Sequence, residues 1–542
     1  MEKRSRIVLL AIAVRLAIAP FFMHAGDVGT IYESSAMALQ GANVYNYVYG
    51  QTLQMQHLTG LPVFFEGYAY HPLLIYFFAP FYWLFTLIAG PYPVMIGVGQ
   101  YPSLPVLVYP AILVLLVMLK MPIILADVAV VYILAGIDAR KAEIYALCPY
   151  VIFISVVWGM FDAIVAVFLL ASYLTFSRNS FLSGVLYGLS LMKLYTIVLL
   201  PLFVVRLFGK RRDLLQFSAG LALTLLPVAY FMIVSPASIW NVLVTFQGTR
   251  LMGGVNLYNF TWIVQDLPFD LRISTIPNYF LIISLVLLLW KFGRKGPLLE
   301  AILAFMFASF LFGRVLNEQF LVSIFPLILL CKECDYRLWV APFVFIFLRS
   351  PIYYFAIPIL WASPIFYNYY LQADVMWMQL QSLGYLMIPM YTIGVAFSLL
   401  IMWNLIRILE ATPTNAVGRL RKSLGFVWKM MPKSITTHVQ SWLDRARFSF
   451  ASGSRQRSRT WQRLTQPAWR RRPRLSHTDL QATSSLLCQD SAALALLSPH
   501  TKELFGTGPR SRLPAQRTRQ LRRVNQRTVH QFSVVSPLRA TN

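Results

Sequence analysis

The chain of 542 residues is 58% hydrophobic, 15% aromatic and only 13% charged, where soluble domains average about a quarter charged residues. That balance excludes an ordinary soluble protein, and the few cysteines give no disulfide framework. A net charge of +26 invites a nucleic-acid reading, but residues 411–542 carry 24 Lys and Arg against 4 acids while the first 410 carry 23 against 17. The basicity belongs to a tail, so no nucleic-acid partner is assigned.

The start, MEKRSR followed by IVLLAIAVRLAIAPFFM, reads as an uncleaved first span because no clean small-residue cleavage site follows it. Arg15 inside that span is costly in lipid and is expected to face the bundle interior or to snorkel toward a surface. The stretch from His24 to His71 reads as the first large polar loop outside the bilayer. Asp27 opens it, Glu33 follows, Glu66 closes it, and Tyr32, Tyr45, Tyr47, Tyr49, Tyr68 and Tyr70 supply the flat hydroxylated faces that hold sugars.

Apolar segments follow near 73–90, 104–119, 122–137, 142–157, 160–176, 181–192, 195–208, 214–234, 278–292, 298–312, 319–331, 337–349 and 383–408. With the first span these make about fourteen, and several fall short of the roughly 20 residues of a straight spanning helix, so pairs are expected to merge, break or re-enter. Pro122, Pro201 and Pro326 fit kinks or interruptions. The fold class expected is all-α, a polytopic membrane helix bundle of about 11–14 transmembrane helices. Residues 1–410 form this domain, and residues 411–542 are expected to be a disordered cytoplasmic tail, arginine-rich and too poor in apolar periodicity to bury a core.

With the N-terminus in the cytoplasm, alternation places DARKAE (138–143), SRN (177–179), RLFGKRRD (206–213), KFGRK (291–295), CKECDYR (331–337) and the tail inside, as the positive-inside rule asks. The outer side then receives 24–71, Lys120, VWGMFD (157–162), Lys193, 235–277 and FGRVLNEQ (312–319).

The candidate chemistry lies in those outer segments. Asp27 is either a plain loop aspartate or a general base, since an ionised carboxylate suits removal of a hydroxyl proton. Asp162 either caps a helix or is a second catalytic residue that lines the site with Trp158, its carboxylate orienting the base or an acceptor. Lys193 interrupts an otherwise continuous apolar helix; an intramembrane lysine needs a partner, and a lipid-linked phosphate is the one expected. Lys120 and Arg314 are weaker candidates of the same kind, Glu318 is assigned to substrate binding, and His71 binds phosphate or packs at the interface. Asn259 opens the sequon NFT and is either glycosylated or a site residue. The pair Cys331 and Cys334 lacks two further ligands of suitable spacing, so no metal is assigned to it. No glycine-rich phosphate loop, HExxH or nucleotide fingerprint occurs, which favours a lipid-linked donor over a nucleotide one.

In their order along roughly residues 7–330, the segments GDVGTIY, GANVYNY, YHPLLIYFFAP, LKMPIILADVAVVYIL, CPYVIFISVVWGMFDAIVAVFLL, GLSLMKLYTIVLLP, NLYNFTW and RVLNEQFLVSIFPLILL resemble the GT-C superfamily of polytopic glycosyltransferases. The likeness is strongest to the dolichyl-phosphate-mannose-dependent mannosyltransferases, including the first mannosyltransferase of GPI-anchor synthesis, and to their prokaryotic relatives. The resemblance implies an inverting transfer of a hexose, mannose first, from a polyprenyl- or dolichyl-phosphate sugar to a lipid- or protein-linked glycan, at an extracytoplasmic or luminal site with Asp27 as base. It implies a multi-pass protein of a prokaryotic plasma membrane or of the endoplasmic reticulum, with the lipid-linked donor, a glycan or glycolipid acceptor and membrane lipids as partners. Many members carry a second acid as DxD here, whereas Asp27 precedes Val28 and Gly29; Glu33 is the residue that would have to substitute, and no cofactor or metal is assigned. The competing reading is a transporter or a non-catalytic subunit, of the kind the GPI transamidase contains, although no half-to-half repeat supports a transporter.

Overall fold

The computed structural model describes residues 2–59, 68–90, 111–250, 252–260, 274–294, 296–349, 372–373, 375–377, 379–380 and 385–412. The chain divides into two units, Met1–Lys429 and Met430–Asn542, and every described residue belongs to the first. Glu66 and the basic tail lie outside the described residues.

The described residues are mostly helical, with a single two-residue parallel strand pair among them. Helix α1 (Glu2–Ile18) packs antiparallel to α5 (Ala111–Ile137). Arg4 lies 3.7 Å over the Tyr132 ring near the end of α5, while Lys120, early in α5, reaches Ala19 and Phe22 just past the end of α1. The expected spans 104–119 and 122–137 are therefore not separate: α5 runs through Pro122 unbroken. One proline removes one amide donor, and a helix packed along much of its length tolerates that loss.

The stretch 24–71 is not an open loop. It forms α2 (Ala25–Leu39) and α3 (Val44–Thr59) before α4 (Leu73–Ala89). Val28, Ile31, Tyr32 and Ser35 are buried at helical spacing, an apolar stripe that the polar residues between them conceal in a window average. Asn43 Nδ2 donates to Ser235 Oγ at 2.7 Å, and Ser238 Oγ donates to Asn46 Oδ1 at 2.7 Å, tying the start of α3 to a later segment.

Asp138 accepts from the amides of Arg140 and Lys141 and so caps α6 (Ala139–Leu147). Pro149 then starts α7 (Pro149–Ile152), which passes into a π-helical turn, Phe153–Trp158, and this segment is bent by 51° from α6. After Gly159, at φ 87°, come α8 (Asp162–Thr175), α9 (Ser180–Ser190), α10 (Leu200–Leu207) and α11 (Arg211–Val234). α9 and α11 meet backbone to backbone, because a Cβ at Gly184 would lie 2.1 Å from the Phe217 carbonyl and one at Gly220 would lie 2.2 Å from that of Phe181. Only glycines allow such an approach.

Short helices α12 (Pro236–Trp240) and α13 (Phe246–Thr249) lead to β1 (Gly253–Gly254), which pairs in parallel with β2 (Val315–Leu316). Between the strands lie α14 (Ile276–Phe292) and α15 (Leu298–Phe312); α16 (Phe320–Leu330), α17 (Val340–Arg349) and α18 (Met387–Ala411) follow. α15 and α16 are almost wholly buried and form the centre of the core.

Among the described residues three helices are long and apolar enough to cross a membrane, Ala111–Ile137, Arg211–Val234 and Met387–Ala411, and the bent pair Ala139–Leu147 with Pro149–Trp158 makes a fourth if it is one span. Arg206 donates to the Gly296 carbonyl at 2.7 Å, Lys291 donates to the Leu409 carbonyl, and the Asp335 amide donates to Asn404 at 2.6 Å. Three of the basic clusters thus gather around the end of α18.

Candidate functional site

Asp27 sits in the first turn of α2, whose N-cap is His24. Its Oδ1 accepts from the Tyr70 hydroxyl at 3.0 Å and its Oδ2 accepts from Trp158 Nε1 at 2.7 Å. His24 Nδ1 lies 3.0 Å from the Asp27 amide and 2.8 Å from Oδ2, so it takes the amide hydrogen when neutral and donates to the carboxylate when protonated. The His24 and Trp158 rings stack at 5.0 Å, and the His24 amide donates to the Trp158 carbonyl at 2.9 Å. Burial pushes the Asp27 carboxyl up, but the neighbouring His24, the Trp158 hydrogen bond and the charge of Lys193 outweigh it and bring the pKa down to about 2. The carboxylate is ionised at any working pH, and its side chain is 18% exposed.

A second carboxylate, Asp162, begins α8 and is fully buried. Lys193 Nζ donates to its Oδ2 at 2.6 Å, and the hydroxyls of Tyr195 and Ser323 each lie 3.1 Å from its Oδ1 and bond to one another. Lys193 also lies 4.7 Å over the Phe161 ring, whose edge meets Tyr70 at 4.9 Å. Phe161 thus stands between the two carboxylate clusters. The partner expected for Lys193 was a phosphate; the structure gives it Asp162 instead, because a lysine in an apolar interior is stabilised by the nearest buried anion.

The remaining candidates divide. Gln247 Nε2 reaches the Ala69 carbonyl at 3.5 Å, which sets residues 246–250 against the Tyr70 segment. Arg314 donates to the carbonyls of Gln247 and Gly248 at 3.1 and 2.7 Å, so it clamps that segment. Glu318 pairs with Arg349 at 2.6 Å. Lys120 donates to the carbonyls of Ala19, Phe22 and Val156, which uses all three of its hydrogens and leaves none for a phosphate. Glu33 lies six residues from Asp27, about 240° round the helix, near enough to Tyr47 of α3 that, after burial, its charge helps push that hydroxyl's pKa up. Asn259 is 2% exposed and its Nδ2 is buried with no partner among the described residues, which argues against the glycosylation reading.

His71 accepts from the Leu73 amide through Nδ1 at 3.2 Å, so its hydrogen sits on Nε2, which is buried with no partner among the described residues. Burial lowers its pKa to about 4, and the ring is neutral.

One buried cluster has no counterpart among the sequence candidates. Arg15 and Asp127, both 0% exposed, pair at 2.6 Å, and Asp127 also receives the Tyr145 hydroxyl at 2.7 Å and lies 2.8 Å from Ser155 Oγ. Arg15 therefore faces the interior. The signal available in the sequence was two opposite charges inside apolar spans, each needing a partner.

Among the described residues no three His, Cys, Asp or Glu side chains come together to hold a metal, and Cys331 and Cys334 are free thiols. Each Asp27 oxygen accepts one side-chain hydrogen bond, from Tyr70 and from Trp158. Comparison with protein-family models and with curated proteins finds no match.

Proposed function

We propose that the chain is a multi-pass membrane glycosyltransferase that moves a hexose, mannose first, from a polyprenyl- or dolichyl-phosphate sugar to a lipid- or protein-linked glycan on the extracytoplasmic face. The observation that carries this reading is Asp27: an ionised carboxylate, fixed by Trp158, Tyr70 and His24, partly open, in a site whose other carboxylate is already neutralised by Lys193. In a direct displacement the acceptor oxygen bonds to the anomeric carbon, the bond from that carbon to the phosphate oxygen breaks, and the configuration inverts. Asp27 takes the acceptor proton. A carboxylate of such low basicity accepts it late, after the forming bond has made the hydroxyl acidic.

Tyr70, half-buried beside the carboxylate, supplies the ring for a sugar face, while Trp158 and Phe161 are buried. Lys193 contributes the charge that leaves Asp27 as the free anion of the pair, and Asp162 acts on the reaction only through Lys193. The donor class is tested by supplying membranes that contain the full chain with tritiated dolichyl-phosphate-mannose or with nucleotide-linked mannose. Label is expected in glycolipid or glycoprotein from the lipid-linked donor alone; label moving only from the nucleotide donor contradicts the reading.

A further inference from the structure

We infer that Lys120 and Asp127 are positioning residues for Asp27, acting through the π-helical turn 153–158; the catalytic part of this inference rests on the reading of Asp27 as base. The two residues stand seven apart on α5, so they share one face of the helix to within about 20°. Both are buried, at 1% and 0% exposure, and each grips a neighbouring residue of the same turn. Lys120 Nζ donates to the Val156 carbonyl at 2.7 Å. Asp127 Oδ2 lies 2.8 Å from Ser155 Oγ, and its charge is balanced by Arg15 at 2.6 Å.

A π turn is a rare, poorly favoured state of the helix and tends to occur at functional positions, so its register needs fixing from outside. This turn ends at Trp158, the residue whose Nε1 donates to Asp27 Oδ2 and whose carbonyl takes the His24 amide. No slack exists beyond it: a Cβ on Gly159 would stand 2.8 Å from Val28 and 3.2 Å from Lys120. Rotation of the turn would carry the indole away from the carboxylate. Lys120 adds a second tie, since its bonds to Ala19 and Phe22 hold the chain that leads into His24. The α5 charges thus bracket two of the three side-chain partners of Asp27, Trp158 and His24. Paired ions inside a core contribute little net stability, and their best-attested use is to fix one arrangement among several.

The test uses the full chain in lipid nanodiscs, labelled with 5-fluorotryptophan. The Trp158 fluorine resonance is assigned by its loss in Trp158→Phe. Ser155→Ala, the mild variant, and Asp127→Asn are both expected to shift or broaden that resonance, while Ser172→Ala, a buried serine between α8 and α9, leaves it in place. In transfer assays Ser155→Ala should lower kcat by about 3- to 10-fold with KM nearly unchanged, a loss typical of slight misplacement. That loss should vanish in the Trp158→Phe background, as coupled residues require. A Trp158 resonance unmoved by both variants overturns the inference, as do additive losses in the double variant. If the resonance moves but the wild type transfers no sugar, the positioning of the Asp27–Trp158 pair stands and the glycosyltransferase reading falls.

Discussion

Lys193 Nζ lies 2.6 Å from Asp162 Oδ2, with Asp162 fully buried and Lys193 5% exposed. The pair neutralises one carboxylate and leaves the other, Asp27, as the open anion of the site. Removing one member of a buried pair costs about 3–5 kcal/mol because the remaining charge is stranded, whereas removing both is far cheaper. Lys193→Ala should therefore lower the thermal stability of the detergent-solubilised protein sharply, and Lys193→Met combined with Asp162→Leu should restore most of it. A Lys193→Ala protein as stable as wild type, with weaker donor binding alone, would return Lys193 to the role of a phosphate ligand.

Acid should destabilise the protein in two stages. Unfolded His71 titrates near its ordinary 6.5, but folded His71 near 4, so its contribution is complete above about pH 6.5 and is lost as pH falls toward 4, about 3 kcal/mol in all. Asp27, depressed from 3.8 to about 2, contributes above about pH 4 and loses about 2 kcal/mol below it. Melting temperature measured against pH should show the first loss in wild type and not in His71→Gln.

Gly184 and Gly50 should respond in opposite ways to alanine. At Gly184 the added Cβ meets backbone at 2.1 Å, and at Gly50, inside α3, it meets nothing within 4 Å. Overpacking costs about 1–3 kcal/mol or more, while glycine to alanine in an open helix gains about 0.5–1 kcal/mol. Thermal unfolding of the two variants decides it; a neutral Gly184→Ala would contradict the close contact of α9 and α11.

The sequon at Asn259 should carry no glycan, because its side chain is 2% exposed. Expressed in a eukaryotic host, wild type and Asn259→Gln should migrate identically before and after glycan removal. A mobility shift lost in Asn259→Gln would place that residue at the surface.

Much of the helical plan was legible from apolar runs: the breaks at 177–179 and around Lys193 fall where α8, α9 and the turn after it begin or end. The merged α5 was not, since proline reads locally as a break while packing decides its effect. The helices within 24–71 were hidden for a related reason, because their buried stripes alternate with polar residues. Asp27, Trp158, Asp162 and Lys193 could be singled out as charges and rings at span mouths. Their pairing could not, since Lys193 and Asp162 are brought together by the return of α9 against α8. Lys120 shows the same limit: three backbone carbonyls leave no trace in a sequence.

Sugar transfer from radiolabelled dolichyl-phosphate-mannose, in membranes matched for wild-type and Asp27→Asn protein, tests the central claim most directly. Transfer by wild type with a loss of at least ~100-fold in the variant, the usual minimum for removing a general base, is the predicted result. Transfer that survives undiminished in Asp27→Asn would contradict it and take the base away from Asp27.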